Sequence, residues 1–191
     1  MKIIISQQER RLPPFFFTQD ALERGWYRLL AGHDICPVPN IPQFDFESMQ
    51  FDCLILSGGN DSVDRHLTED RLYALAESRA LPIIGVCHGA FAVNDLAGGR
   101  NAQITGHVDQ DHVIRMDSQE FEVNSYHGQC IEQLPPGFEP VAHDLSGVIE
   151  CFRHIFRPTW GVVWHPERQR QPVLPQDLAE FLHTDQSPWQ I

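Results

Sequence analysis

Pro82-Ile83-Ile84-Gly85-Val86-Cys87-His88-Gly89-Ala90-Phe91-Ala92-Val93-Asn94 is the stretch that decides the fold. It opens on a short apolar run, the pattern of a strand buried on both faces. A Gly-x-Cys-x-Gly turn follows, and then residues that continue as a helix. Strand, nucleophile and helix in that order make the sharp turn that lifts a reactive side chain above the end of a parallel sheet. Gly85 and Gly89 suit it, because a Cβ at either place would crowd neighbouring backbone or oppose strained dihedrals. Cys87 is expected at the helix N-terminus, where unpaired N–H groups and the helix dipole favour a thiolate. Taken alone, the turn also fits a small buried cysteine. The reading requires a base elsewhere.

Trp160-Gly161-Val162-Val163-Trp164-His165-Pro166-Glu167 supplies one. An apolar strand runs out into a histidine, with a carboxylate two residues later. Cysteine catalysis needs an imidazole to take the thiol proton and a third group to fix that imidazole. His165 and Glu167 offer both from one strand end, and Pro166 stiffens the link between them. Without Cys87 the same residues would read as a surface turn. With it, Cys87, His165 and Glu167 are the candidate catalytic set.

Composition sets the outer bounds. The 191 residues fit one α/β domain spanning 1–191, and an apolar content of 42% is ordinary for a globular chain. No stretch approaches a membrane span, and the N-terminus turns polar too early for a signal peptide, so a cytoplasmic location is expected. A net charge of −12 argues against nucleic acid and anionic membranes as partners. Cys36, Cys53, Cys87, Cys130 and Cys151 show neither paired spacing nor Cys-x-x-Cys. The histidines at His88, His107, His112, His127, His143 and His154 show no metal-binding spacing either. No metal site and no cofactor are expected.

Along the chain, Lys2-Ile3-Ile4-Ile5 reads as the first, central strand. Residues 7–17 read as a loop, with Phe15-Phe16-Phe17 as core and an oligomer contact or pocket lid as alternatives. A helix is predicted from Thr18 to Ala31, strands at 33–38 and 51–56, and a helix opening at Thr68-Glu69-Asp70. Asp61, Asp64 and His66 read as an acidic capping loop. From Asn101 to Phe156 short β-like runs predict an antiparallel extension. Strand 160–164 then returns to the core, and Asp177 to His183 closes the chain as a helix.

Two further stretches complete a pattern. Leu54-Ile55-Leu56-Ser57-Gly58-Gly59-Asn60-Asp61 is similar to the strand and Gly-Gly oxyanion loop of the class I glutamine amidotransferase family. Asn124-Ser125-Tyr126-His127-Gly128-Gln129 resembles the Ser-x-His-x-Gln stretch of its γ-glutamyl hydrolase (γ-glutamyl-γ-aminobutyrate hydrolase-like) branch. With the Cys87 turn and Trp-His-Pro-Glu, four motifs fall in family order between positions 54 and 167. The Asn-Ser-Tyr-His stretch, Phe152-Arg153-His154 and Trp-His-Pro-Glu-Arg also resemble small amidotransferase-like proteins of bacterial surface-sugar (nonulosonic acid) pathways.

The resemblance implies a flavodoxin-like three-layer α/β sandwich with a mostly parallel central sheet and a small antiparallel extension. It implies hydrolysis of a γ-glutamyl amide through a thioester on Cys87, with the backbone N–H groups of Gly59 and His88 as the oxyanion hole. Gly58, Asn60, Phe91, Tyr126, His127 and Gln129 are the implied substrate-facing residues, with a hydrogen-bonded structural role as the alternative for His127. Phe91 stands where the family usually carries a substrate-contacting Gln, and His88 where the hydrolase branch often has Arg. Both bear on which substrate is taken: a γ-glutamyl conjugate, or free glutamine. The alternatives are a glutaminase chain passing ammonia to a partner synthase chain, and a catalytically silent binding subunit. An intact Cys-His-Glu set disfavours the silent form.

Overall fold

Five parallel strands, apolar on both faces at their centres, carry the middle of the molecule. The computed structural model describes residues 1–14 and 17–183, so Phe15 and Phe16 lie outside the described residues. In chain order the strands are β1 (Lys2–Ser6), β2 (Gln8–Leu12), β3 (Phe17–Ala21), β4 (Asp34–Val38), β5 (Cys53–Leu56), β6 (Ile83–Val86) and β7 (Arg100–Gln103). They continue with β8 (His112–Met116), β9 (Gln119–Val123), β10 (Gln129–Gln133), β11 (Phe138–Asp144), β12 (Ile149–His154) and β13 (Thr159–Val162). The α-helices are α1 (Arg24–Leu29), α2 (Val63–Ser78), α3 (His88–Leu96) and α4 (Gln176–His183), and a 3-10 turn spans Pro166–Arg168.

The main sheet has nine strands in the order β4-β1-β5-β6-β13-β12-β11-β8-β9. Pairing is parallel from β4 to β13 and antiparallel beyond it. The expected antiparallel extension is therefore continuous with the parallel half. Smaller ladders, β10 with β7 and β2 with β3, lie outside the main sheet. Alternation along β1 sends Ile3 and Ile5 to one face, with Trp26, Leu29, Leu178 and Leu182 of α1 and α4. Ile4 joins Leu72, Ala76, Ala90 and Val93 of α2 and α3 on the other. Helices cover both faces of the sheet.

Two helix boundaries differ from expectation. Residues 17–21 form β3, paired with β2 from Gln8↔Ala21 to Leu12↔Phe17, so the helix expected from Thr18 shrinks to Arg24–Leu29. The would-be cap region is drawn into a ladder, and Asp20 instead accepts the backbone N–H of Asn40 (3.0 Å) and its side-chain amide (2.7 Å). Phe17, expected in the core, is 69% exposed. The second helix starts at Val63, five residues before Thr68, because Ser62 Oγ accepts Arg65 N–H at 3.3 Å and caps it. Asp64 and His66, expected in a loop, lie inside this helix.

The early turns of α2 escaped the apolar pattern because their inner face is charged. Arg65 has no exposed surface, and Glu69 is 1% exposed. Arg65 Nε donates to Glu69 Oε1 at 2.9 Å, and its terminal nitrogens donate to the carbonyls of Ser57 (2.5 Å), Asn60 (2.9 Å) and Gly58 (3.4 Å). Glu69 also accepts from Ser6 Oγ (2.7 Å), and its other oxygen lies 2.8 Å from His88 Nε2. Glu69 is thus no first-turn dipole partner. It is the centre of a buried network that joins β1, the loop after β5 and the start of α3.

Burial pushes the Glu69 carboxyl up, but Arg65 first and then His88 and Ser6 outweigh it and hold it at about 2. A carboxyl depressed below its ordinary value stabilises the fold above that value, and the contribution is lost as pH falls through the folded pKa. Glu69→Gln is expected to cost about 3–5 kcal/mol at neutral pH, since it leaves a buried guanidinium unpaired. The gap from the native protein should narrow as pH falls from about 5 toward about 2. Urea midpoints across that range check this, and a gap independent of pH would refute it.

Candidate active site

The C-terminal ends of β5, β6 and β13, three neighbours in the sheet, bring the candidate residues to one place. Cys87 sits between β6 and α3 with φ 50° and ψ −106°, a strained conformation for a residue with a Cβ. Its N–H donates to Val162 of β13 at 2.8 Å, and its carbonyl accepts the first helical N–H groups, from Ala90 (3.0 Å) and Phe91 (3.2 Å). The turn is tight enough to need both glycines. A Cβ on Gly89 would lie 1.9 Å from the Leu56 carbonyl oxygen, and one on Gly85 would lie 2.3 Å from that of Gly89.

His165 follows the end of β13 and is 2% exposed. Its Nδ1 lies 2.7 Å from Glu167 Oε1, and since a carboxylate only accepts, Nδ1 carries the proton and Nε2 is left for the sulfur. Burial disfavours the imidazolium, but hydrogen bonding to Cys87 and Glu167 outweighs it and raises His165 to about 9. The Asn124 side chain clamps the His165 backbone, donating to its carbonyl (2.9 Å) and accepting its N–H (2.8 Å). Tyr126 stands edge-on to the imidazole with ring centres 5.6 Å apart, and Arg168 lies over Tyr126 at 4.7 Å. Gly58 backs against the same imidazole. A Cβ there would be 2.3 Å from Cε1 of His165.

A cleft of about 170 Å³ opens beside the sulfur. Of the residues the sequence proposed, Gly59, Cys87, His88, Phe91, Tyr126, His127 and Gln129 line it, and Asp61 and Gly128 join them. Gly58 and Asn60 do not face the cleft. The Asn60 carbonyl holds Arg65, while its side-chain amide reaches only the Asp61 carbonyl at 3.4 Å. The His88 imidazole is turned away toward Glu69. Its backbone N–H opens α3, where no intrahelical acceptor exists.

Sequence reasoning missed Asp61, Asn124 and Arg65. Asp61 had read as a capping acid, and Asn124 was quoted only as part of a motif. Arg65 left no apolar periodicity to notice. Burial pushes the Cys53 and Cys151 thiols well above their ordinary value, so neither competes as a thiolate.

No helix among the described residues is long and apolar enough to cross a membrane. The Campylobacter jejuni gamma-glutamyl-CDP-amidate hydrolase is 26% identical over 177 residues, covering 85% of this chain and 88% of that protein. A glutamine-hydrolyzing GMP synthase subunit from Methanosarcina barkeri is 31% identical over 155 residues, covering 76% of this chain and 80% of its own. The match to the GMP synthase of Bifidobacterium longum, 29% identical, takes in 84% of this chain but 30% of that protein. A glutamine amidotransferase structure from Thermotoga maritima superposes with a TM-score of 0.68 at 13% identity, over 87% of this chain and 76% of that one. Residues 19–184 match the family described as glutamine amidotransferase class-I, and the chain belongs to that family.

Proposed function

We propose that this chain is a stand-alone cysteine hydrolase that cleaves a γ-glutamyl amide. The observation that carries the reading is His165, buried and held between the Cys87 sulfur and the Glu167 carboxylate at the edge of the cleft. Cys87 thiolate attacks the γ-carbonyl carbon, and the oxyanion is met by the N–H groups of Gly59 and His88. The Gly58 carbonyl points to Arg65, so the trans peptide turns the Gly59 N–H the opposite way, to the cleft side. One such donor is worth about 3 kcal/mol of barrier. The C–N bond breaks as His165 gives its proton to the leaving amine. His165 then takes a proton from water, which opens the thioester to free carboxylate and thiolate.

The same oxyanion loop and triad serve any γ-glutamyl amide, so substrate choice falls to the remaining walls. Phe91, 6% exposed, lines the cleft 6.0 Å ring to ring from His127. An apolar ring there gives a leaving amine larger than ammonia a contact surface that a Gln would not. The likeness to a gamma-glutamyl-CDP-amidate hydrolase over most of both lengths supports a conjugate as substrate. A second reading, the glutaminase half of a two-chain synthase, draws on the likeness to the Methanosarcina barkeri GMP synthase subunit.

Three measurements follow. Iodoacetamide near neutral pH should label Cys87 first and Cys53 and Cys151 last; faster labelling of Cys36 or Cys130 would remove the nucleophile assignment. His165→Ala should abolish turnover, while Glu167→Gln should leave a measurable remainder, lowered by about 10²–10⁴-fold. Full activity in Glu167→Gln would mean that another group orients His165. Steady-state kinetics on glutamine and a panel of γ-glutamyl amides, with no partner added, should favour a conjugate by at least about tenfold in kcat/KM. Cleavage of glutamine alone, and only after a synthetase chain is added, would replace the hydrolase with the second reading.

A further inference from the structure

Behind the cleft wall, three histidines from two stretches of the chain surround one carboxylate. Glu150 of β12 has no exposed surface. His107 Nδ1 and His112 Nε2 each lie 3.5 Å from its Oε1, and His127 Nε2 lies 3.6 Å from its Oε2. None of these five atoms has a hydrogen-bond partner among the described residues, although all are buried. Orphaned buried polar atoms cost about 1–3 kcal/mol each, so five around one point demand a common partner.

The ring tautomers say what that partner is. His127 Nδ1 lies 2.8 Å from the Gln129 carbonyl, which can only accept, so Nδ1 holds the proton and Nε2 presents a lone pair to the carboxylate. Lone pair facing carboxylate repels unless a cation stands between them. Imidazolium would serve, but a charge-assisted N–H to carboxylate bond closes to about 2.7–2.9 Å, shorter than any of the three separations. Two donors each about 2.0–2.1 Å from a tetrahedral ion lie about 3.4 Å apart. The separations of His107 and His127 from the Glu150 oxygens, 3.5 and 3.6 Å, match that edge.

His127 also has the outer partner that a metal-bound imidazole uses to fix its orientation, the Gln129 carbonyl. His107 Nε2 lies 3.7 Å from Asp144 Oδ2. His107, His127 and Glu150 place donor atoms within 4.8 Å of one another.

We propose that His107 Nδ1, His127 Nε2 and Glu150 bind one divalent transition-metal ion, zinc by donor type, with His112 beside them. Two imidazoles and one carboxylate supply three of the four ligands of a tetrahedral ion and leave its fourth position open. The ion would tie the loop before β8 and the stretch before β10 to β12. It thereby fixes the wall on which His127 faces Cys87. The expectation of no metal rested on linear spacing, and these ligands share none.

The test needs no turnover, so its failure is distinct from failure of the hydrolase reading. Protein purified without chelator should contain about one zinc per chain by elemental analysis. After chelation, the metal-free protein should take up one Co²⁺ with a tetrahedral visible spectrum, and saturating zinc should raise its Tm by about 10 °C. Cys87→Ser should keep the full equivalent, which separates this site from the nucleophile. Glu150→Gln should weaken Co²⁺ binding at least about 100-fold. Wild-type chelation and reloading carry the test if that variant does not fold. Failure of the wild-type protein to bind zinc or Co²⁺, or uptake lost in Cys87→Ser, would overturn the proposal.

Discussion

A guanidinium with no exposed surface has to be neutralised and hydrogen-bonded within the protein, and Arg65 draws the architecture of the site toward itself in meeting that demand. Glu69 supplies the charge, and the carbonyls of Ser57, Gly58 and Asn60 supply acceptors. Glu69 then reaches Ser6 at the end of β1 and His88 beside Cys87. As a source of stability such a pair is poor, because an apolar isostere often does as well. Its effect is on geometry. Carbonyls turned inward oblige the neighbouring N–H groups to turn outward, and an oxyanion hole is a set of N–H groups whose direction is fixed beforehand.

Cys87 and His165 are fixed by other means. Cys87 keeps its φ of 50° because its own N–H is held by β13 and its carbonyl starts α3. His165 is held through its backbone by Asn124 and through its ring by Glu167. Each element thus owes its direction to a different neighbour, and all meet at the ends of adjacent parallel strands. Close approach of Gly58 to His165 and of Gly89 to Leu56 shows how little slack remains.

What the sequence made legible follows from this division. The strand–Cys87–helix turn, the His165 strand end and the Gly58-Gly59 loop are local patterns, and each stood where its residues predicted. The β2–β3 hairpin was not legible, since Thr18-Gln19-Asp20 carries helix-capping chemistry and only pairing with Gln8–Leu12 overrides it. Arg65 and Glu69 hid the first turns of α2 for the opposite reason, being charged residues on an inner face. Glu150 was unreadable altogether. Its neighbours are His107, His112 and His127, which reach it from the start of β8 with the loop before it and from the stretch before β10, so only the tertiary fold brings them together.

The two sides of the cleft accordingly belong to different parts of the fold, the parallel half of the main sheet and the stretch that leads into the separate β10–β7 ladder. The ends of the parallel strands carry Cys87, His165 and the Gly58-Gly59 loop. The facing wall, Tyr126 to Gln129, precedes β10 and enters its strand only at Gln129, so tertiary contacts must shape it. Val108 bridges to Tyr126, Ser125 donates to the His107 carbonyl, and His127 is fixed by Gln129 and drawn to Glu150. Phe91 reaches the same wall from α3 through its contact with His127. No bond of the Arg65 network passes through this wall, so Phe91, His127 and Gln129 can vary while the loop after β5 keeps its direction, and Tyr126, edge-on to the imidazole, is where the wall meets His165. One family scaffold can in this way keep its reaction while the group it releases changes.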